Sequence, residues 1–355
     1  MSSAALPAFA PAGRSRPGAI ADWLLFVAGL VLLMIVVGGI TRLTESGLSI
    51  TRWEPVSGAI PPLTTEAWEA QFEAYKESPQ YRKINRGMSL TEFKDIFFWE
   101  YVHRLLGRLI GIAFALPLAW LAWKRAIPPG YGWKLLVLLG LGGLQGFIGW
   151  WMVASGLVDR PEVSHIRLAV HLLTALLIFG VLVWTALDLR RLAADSQAPS
   201  ARMPTIAIWT LSALGLQFLF GAYVAGLEAG YAFNSWPKMG DEWFPSGAPM
   251  LQPFLVNFVD NPIVVQFVHR WLAFVVAALA VALGVQAWRR GFAVAAAAVA
   301  ASVAIQILLG IATIVTGVEL WIGVAHQGMA ALLLAAILFA AHRLGDRSDG
   351  AGTSA

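Results

Sequence analysis

The residues of this chain best equipped for chemistry lie in the run EYVHRLLGRLIG at residues 100–111. It sets Glu100, His103, Arg104 and Arg108 at the head of a segment otherwise apolar enough to cross a membrane. Ionisable groups in hydrocarbon are costly unless partnered, so such a cluster is by default a functional-site hypothesis. Three- and four-residue spacings share a helix face, which puts Glu100 beside His103 and within pairing reach of Arg104. The chain nearly repeats the run as QFVHRWLAFVVA at residues 266–277, where His269 and Arg270 return but Gln266 replaces Glu100. A carboxylate can act as a base or stabilise developing positive charge. A purely structural Glu100–Arg104 pair would serve both runs equally well. Only one run has the acid, so chemistry is expected at Glu100.

Two further histidines fall into the same pattern. His171 matches His326, and each lies in a later apolar segment at a depth like that of His103 or His269. Each half of the chain thus offers two imidazoles able to face one another across a helix bundle, where cofactor sites are built from facing helices. Paired neutral imidazoles suit the two axial positions of a haem iron. Zinc or copper usually gathers three or four donors, and each site has only two histidines, with an acid beside one of the two sites. The plainer alternative is that buried polar side chains only join helices. Duplication at matched depth favours ligation. His165 and His342 have no repeat partners and read as an interface residue and a cytoplasmic-end residue. Arg104, Arg270 and Arg167 stand at outer helix ends, where they either pair with haem propionates or snorkel to lipid headgroups. Arg108, one turn deeper, is harder to explain by snorkelling.

The elements that must position these groups follow from composition. Of 355 residues, 58% are hydrophobic and 13% charged, against roughly 45–50% and 25% in soluble domains. The chain is expected to be an all-α integral membrane protein. The 16 tryptophans suit membrane interfaces. A net charge of +4 is modest and gives no reason to invoke nucleic acid. With no cysteine there is no disulfide, no thiolate ligand and no covalent haem attachment.

Eight apolar stretches are long enough to span, near 20–41, 98–123, 133–155, 165–187, 205–227, 263–288, 293–317 and 320–341. Arg14 and Arg16, Lys124, Arg125 and Lys134, Arg190, Arg191 and Arg202, Arg289 and Arg290, and Arg343 and Arg347 alternate onto one side. The positive-inside rule makes that side cytoplasmic, together with both termini. The expected division is a tail at 1–19, a four-helix half at 20–190, a linker at 191–204, a second four-helix half at 205–342 and a tail at 343–355. The short N-terminal tail lacks a signal-peptide apolar region. Two outer loops, 42–97 and 230–262, are long; the first contains TTEAWEAQFEAYKES, a helical composition with a threonine N-cap. The repeat reaches further: Gly38, Gly47 and Trp53 match Gly221, Gly230 and Trp236, and Gln145, Gly149 and Gly156 match Gln306, Gly310 and Gly317. Parallel repeats of this kind imply a pseudo-two-fold axis along the membrane normal. Gly142 and Gly146 form a small-residue face expected to pack closely.

Several runs resemble one family, the haem A synthases. They are GGITRLTESGLSITRWEPVSGAIPP (38–62), EYVHRLLGR (100–108), GLQGFIGWWMVASGL (143–157), RLAVHL (167–172), FNSWPKMG (233–240), QFVHR (266–270) and AHQ (325–327). The likeness runs from the first span to the eighth and is nearer to the cysteine-less mitochondrial and alphaproteobacterial branch. It implies an oxidoreductase that converts the C8 methyl of haem O to the formyl of haem A for haem-copper oxidases. His103 and His171 would then ligate the substrate haem, with Arg104 and Arg167 nearby. His269 and His326, with Arg270, would hold a permanent haem b. Glu100 would stabilise the cation developing beside the porphyrin or act as base for water, the expected oxygen source. Expected partners are haem O synthase, a membrane electron donor or acceptor, oxidase assembly factors and a second copy of the chain. The expected location is the bacterial inner membrane, with the haem sites toward the periplasm. The alternative from the residues alone is a dihaem b-type, quinol-oxidising cytochrome.

Overall fold

The structure, a computed structural model, describes residues 15–54, 57–158 and 160–345. The outermost parts of both expected tails, with Arg14 and Arg347, lie outside the described residues. Among the described residues the chain forms helices and 3-10 turns and no strand. Eight helices are long and apolar enough to cross a membrane. In chain order they are α1 (Pro17–Leu43), α4 (Leu90–Trp123), α5 (Tyr131–Ala154), α6 (His165–Ala194), α7 (Thr205–Gly226), α9 (Pro262–Arg289), α10 (Ala293–Val315) and α11 (Leu320–Leu344). The protein is an all-α, multi-pass membrane protein.

Local chemistry explains most helix ends. Pro17 and Pro262 open α1 and α9 at the position where a missing N–H costs nothing. Helix α4 begins at Leu90, ahead of the expected span, because Ser89 and Glu92 form a reciprocal capping box outside the apolar region. Helix α6 likewise outruns its apolar stretch and ends at Ala194, beyond Arg190 and Arg191.

Helices α1, α6, α7 and α11 form the centre. Helix α1 packs on α4, α6 and α11, and α7 packs on α6, α9 and α11. Helices α5 and α10 close the two halves by packing on α4 and α6, and on α9 and α11. Ile20, Leu24, Leu182, Leu214, Leu283 and Ile337 are buried where these helices meet. Leu116, Leu136, Phe147, Val285 and Leu308 stay exposed on the outer helices, as a lipid-facing surface requires. Gly142 and Gly146 depart from expectation: nothing lies within 4 Å of a Cβ at either position. The glycine of α5 used for close approach is Gly149, on the face turned to α6.

The long loops sit at one end of the bundle, termed the loop end below, and differ in construction. The first contains α2 (Thr65–Lys76) and α3 (Pro79–Lys83). Thr64 caps α2, as expected, by accepting from the Ala67 N–H at 3.2 Å. Phe72, Tyr75, Phe93 and Phe97 make a small separate aromatic core between α2 and the start of α4. The second loop contains only 3-10 turns and α8 (Asn257–Asp260). Asn257 and Asn261 tie it instead: Asn257 donates to the carbonyls of Leu251 and Phe254 at 2.9 and 2.7 Å. At the opposite end, buried Asp188 of α6 accepts from His342 Nε2 at 3.0 Å and from the Ala201 N–H at 3.1 Å. His342 is therefore buried between the two halves, at the end expected to face the cytoplasm.

Candidate active site

His103 on α4 and His171 on α6 face one another with ring centroids 6.5 Å apart. Two imidazoles on opposite faces of one metal, each bound at about 2 Å, would place their centroids roughly 6 Å apart. The spacing fits a bis-imidazole haem iron. Each imidazole also lies against a glycine of a neighbouring helix. A Cβ on Gly38 of α1 would stand 3.2 Å from His103 Cε1, and one on Gly149 of α5 would stand 3.0 Å from His171 Cε1. The second half repeats this. Gly221 of α7 backs His269 on α9 at 3.1 Å, and Gly310 of α10 backs His326 on α11 at 2.9 Å. Any side chain at these four positions would push an imidazole out of place.

Glutamine amides meet three of the four rings. The Nε2 atoms of Gln145, Gln217 and Gln306 lie 3.2 Å from Nδ1 of His171, His269 and His326. Gln145 and Gln217 also donate to the backbone carbonyl of their histidine at 3.0 Å. The Oε1 atoms of all three amides are buried without a hydrogen-bond partner, as is Nδ1 of His103. Buried polar atoms are normally satisfied, and here one such orphan stands at each of the four candidate ligands. In His171 and His269 the same amide nitrogen also lies 3.4 Å from Nε2, so it rests against the ring rather than selecting a tautomer. No cluster of three or more His, Cys, Asp or Glu suited to a simple metal ion occurs among the described residues. These residues fit a haem iron better than zinc or copper.

Glu100 is 3% exposed and fully engaged. Its Oε2 accepts from Ser49 Oγ and the Ile50 N–H, both at 2.7 Å. Its Oε1 accepts from Arg104 Nε and Nη2 at 3.0 and 2.6 Å. Arg104 then donates to the carbonyls of Ile50 and Arg52 at 2.7 and 3.0 Å. Gln266 holds the matching place and is also buried. It donates to the carbonyls of Ala229 and Phe233 at 2.8 and 3.0 Å and accepts from Arg270. Glu100 and Gln266 thus each pin a long loop to the helix carrying a candidate ligand.

The arginines serve these loops too. Arg270 donates to the carbonyls of Phe233, Ser235 and Lys238, and its buried Nε has no partner. Arg167 donates to the Trp151 carbonyl at 2.7 Å and lies over the Trp151 ring. Arg108 reaches the Glu54 carbonyl at 2.8 Å. With Arg52 and Arg104 it lines a cavity of about 150 Å³ beneath the first loop. Loop anchoring therefore joins propionate pairing and snorkelling as a role for these cations. His165 pairs with Asp260 at 3.1 Å where α6 and α7 approach at Gly226. Next to it a cleft of about 360 Å³ opens between the halves, lined by Glu162 and Glu228. Burial, then the Glu228 carboxylate, pushes the Glu162 carboxyl above its usual range.

Sequence reasoning missed Gln217, Ser49 and Ile50. Gln217 was within reach, because it precedes Gly221 by four residues as Gln145 precedes Gly149 and Gln306 precedes Gly310. The Ser49 and Ile50 bonds carry no local signal, since they depend on how the loop folds back over α4.

Comparison with known proteins agrees with this arrangement. A heme A synthase of Rhizorhabdus wittichii is 58% identical over 337 residues, covering 94% of this chain and 96% of the relative. One of Sphingopyxis alaskensis is 52% identical over 346 residues, covering 98% of both. One of Novosphingobium aromaticivorans is 46% identical, covering 95% of this chain and 98% of the relative. The profile of the cytochrome oxidase assembly protein family COX15-CtaA matches residues 21–338. With its four paired histidines inside that match, the chain belongs to the COX15-CtaA family of cytochrome oxidase assembly proteins.

Proposed function

We propose that this protein is a haem A synthase, oxidising the C8 methyl of haem O to the formyl group of haem A. The observation that carries the reading is the unequal duplication: two equivalent histidine pairs, with a carboxylate beside only one. Proteins bearing that name match nearly the whole chain. His103 and His171 bind the substrate haem; His269 and His326 bind a resident haem b. When bound, haem b supplies one-electron redox chemistry between the substrate and a partner in the membrane.

Converting a methyl to a formyl with water as oxygen source releases electrons and protons in equal number. The carbon beside the porphyrin becomes electron-poor, and Glu100 supplies a fixed negative charge on the helix face that carries His103. The four donors on that carboxylate fill its acceptor sites. That supports electrostatic stabilisation over proton abstraction from water. Arg104 and Arg270 hold the loops over the two sites, Arg167 ties α6 to the end of α5 through the Trp151 carbonyl, and the orphaned Arg270 Nε is available to a propionate.

The two halves are related by a pseudo-two-fold axis along the membrane normal. The basic residues from Lys124 to Arg343 support cytoplasmic termini, with the haem sites toward the periplasmic side of the inner membrane. An enzyme producing haem O would supply the substrate. An electron carrier, oxidase assembly factors and a second copy of the chain are the partners this chemistry calls for. The test is extraction and mass identification of haem from the purified protein. Haem B together with haem O or haem A is expected. Haem B alone would make this a dihaem cytochrome, and no haem at all would overturn both.

A further inference from the structure

Two of the contacts between the halves are counterparts under the repeat: α1 packs on α11, and α7 packs on α6. A Cβ on Gly323 of α11 would stand 3.0 Å from Leu43 of α1. At the matching positions, one on Gly226 of α7 would stand 3.3 Å from Leu168 of α6. One pair breaks the match. Gln327, the chain neighbour of His326, donates from Nε2 to the Ile35 carbonyl of α1 at 2.7 Å. Its amide lies against Gly39, where a Cβ would stand 3.2 Å from Nε2. The matching positions in the other contact hold Leu172 and Ala222, whose side chains can form no such bond.

Successive helix positions point in different directions, about 100° apart, so Gly38 and Gly39 turn different faces of α1 to their neighbours. Gly38 backs His103, and Gly39 admits the Gln327 amide. At this level α1 is wedged between a ligand of the first half and the chain neighbour of a ligand of the second. We infer that Gln327 is a positioning residue for His103: through α1, the second half fixes the glycine surface on which the substrate ligand rests. The inference rests on the proposed binding of haem between each histidine pair. It fits the two halves' different tasks. A substrate site must re-form around a new molecule at each turnover, whereas a resident haem need never dissociate.

Electron paramagnetic resonance of the ferric protein tests this, because the g values of a bis-imidazole haem follow the angle between its ring planes. Those of His103 and His171 stand 30° apart. Full-length protein is loaded with haem B in both halves, and His103→Ala identifies the N-terminal low-spin signal by its loss. Gln327→Leu should shift that signal and weaken haem binding there by about 2- to 30-fold, leaving the haem on His269 and His326 unchanged. Gln327→Met, which keeps the length and loses the donor, should do the same. Gly39→Ala, which presses on the amide from the other side, should act alike. Gly39→Ala and Gln327→Leu together recreate the residues of the other contact, so their combined loss should fall short of the sum. A merely local effect of Gln327→Leu would strike the haem on His326, its chain neighbour. That outcome, an unmoved N-terminal signal, or fully additive losses overturns the inference. A wild type that binds no haem overturns the underlying functional reading instead.

Discussion

Glu100 and Gln266 occupy matched places and perform the same mechanical task with opposite polarity. Below the first loop, Glu100 accepts hydrogen bonds from Ser49 Oγ and the Ile50 N–H. Below the second, Gln266 donates to the carbonyls of Ala229 and Phe233. Each also meets the arginine one turn along its helix. Even the loop turns correspond: Glu45 and Glu228 both take the left-handed conformation, at φ 52° and 53°, just before a 3-10 turn. The comparison teaches that a neutral amide suffices to hold a loop over a helix that carries a candidate ligand. It also shows that the exchange is more than a charge removed at constant shape, because the loop inverts its own donors and acceptors to match. The N-terminal half keeps a buried ion pair, a costly arrangement for mechanics alone, at the half whose histidine lacks an amide.

Exchanging the ligands tests this contrast most severely. His269→Ala or His326→Ala should abolish retention of haem b, while His103→Ala should leave most of it bound. Visible spectra and haem content of each purified variant decide the matter. Equal losses in all three would end the division of labour between halves.

Glu100→Gln comes next. It makes the first half resemble the second in charge but not in loop polarity, so some loss of folded protein is expected, since breaking a buried pair can cost about 3–5 kcal/mol. Among molecules that retain haem b, the ratio of haem A to haem O should fall by about 10²–10³-fold, the scale of losing one group that stabilises transition-state charge. Near-normal haem A per folded molecule would leave Glu100 as a loop clamp only.

The glycines offer a smaller effect confined to one half at a time. Gly149→Ala should displace His171 and Gly310→Ala should displace His326, because their Cβ atoms would stand 3.0 and 2.9 Å from Cε1. Overpacking costs about 1–3 kcal/mol, which corresponds to haem binding weakened roughly 5- to 150-fold. Haem loss in both halves from either substitution would show that the sites are not independent.

The smallest effect belongs to the junction. Glu162 has its carboxyl raised by burial and by Glu228, so the folded state binds its proton more tightly than the unfolded chain does. Stability therefore falls as pH rises from the ordinary carboxyl range through the raised value. Glu162→Gln should slightly raise the temperature of haem release at neutral pH, and the gain should vanish near pH ~4. A gain independent of pH would assign the effect to packing.

Much of this molecule is legible in the sequence because a membrane imposes simple rules. Span length, the alternation of basic loops and the cost of burying ionisable groups are one-dimensional signals, and they located the eight helices and the four histidines. The repeat offsets even aligned Gly38 with Gly221 and Gln145 with Gln306 before any contact was known. Contacts between helices were not legible. Nothing local says that Gly149 backs His171 while Gly142 and Gly146 face outward, because helix rotation is decided by the whole set of neighbours. Nor does spacing reveal that Arg104 spends its donors on the carbonyls of Ile50 and Arg52, which come into reach only when the loop folds over α4. An amphipathic repeat determines which residues lie in the bundle. Only packing in three dimensions decides which amide reaches which imidazole, and that His103 is left without one.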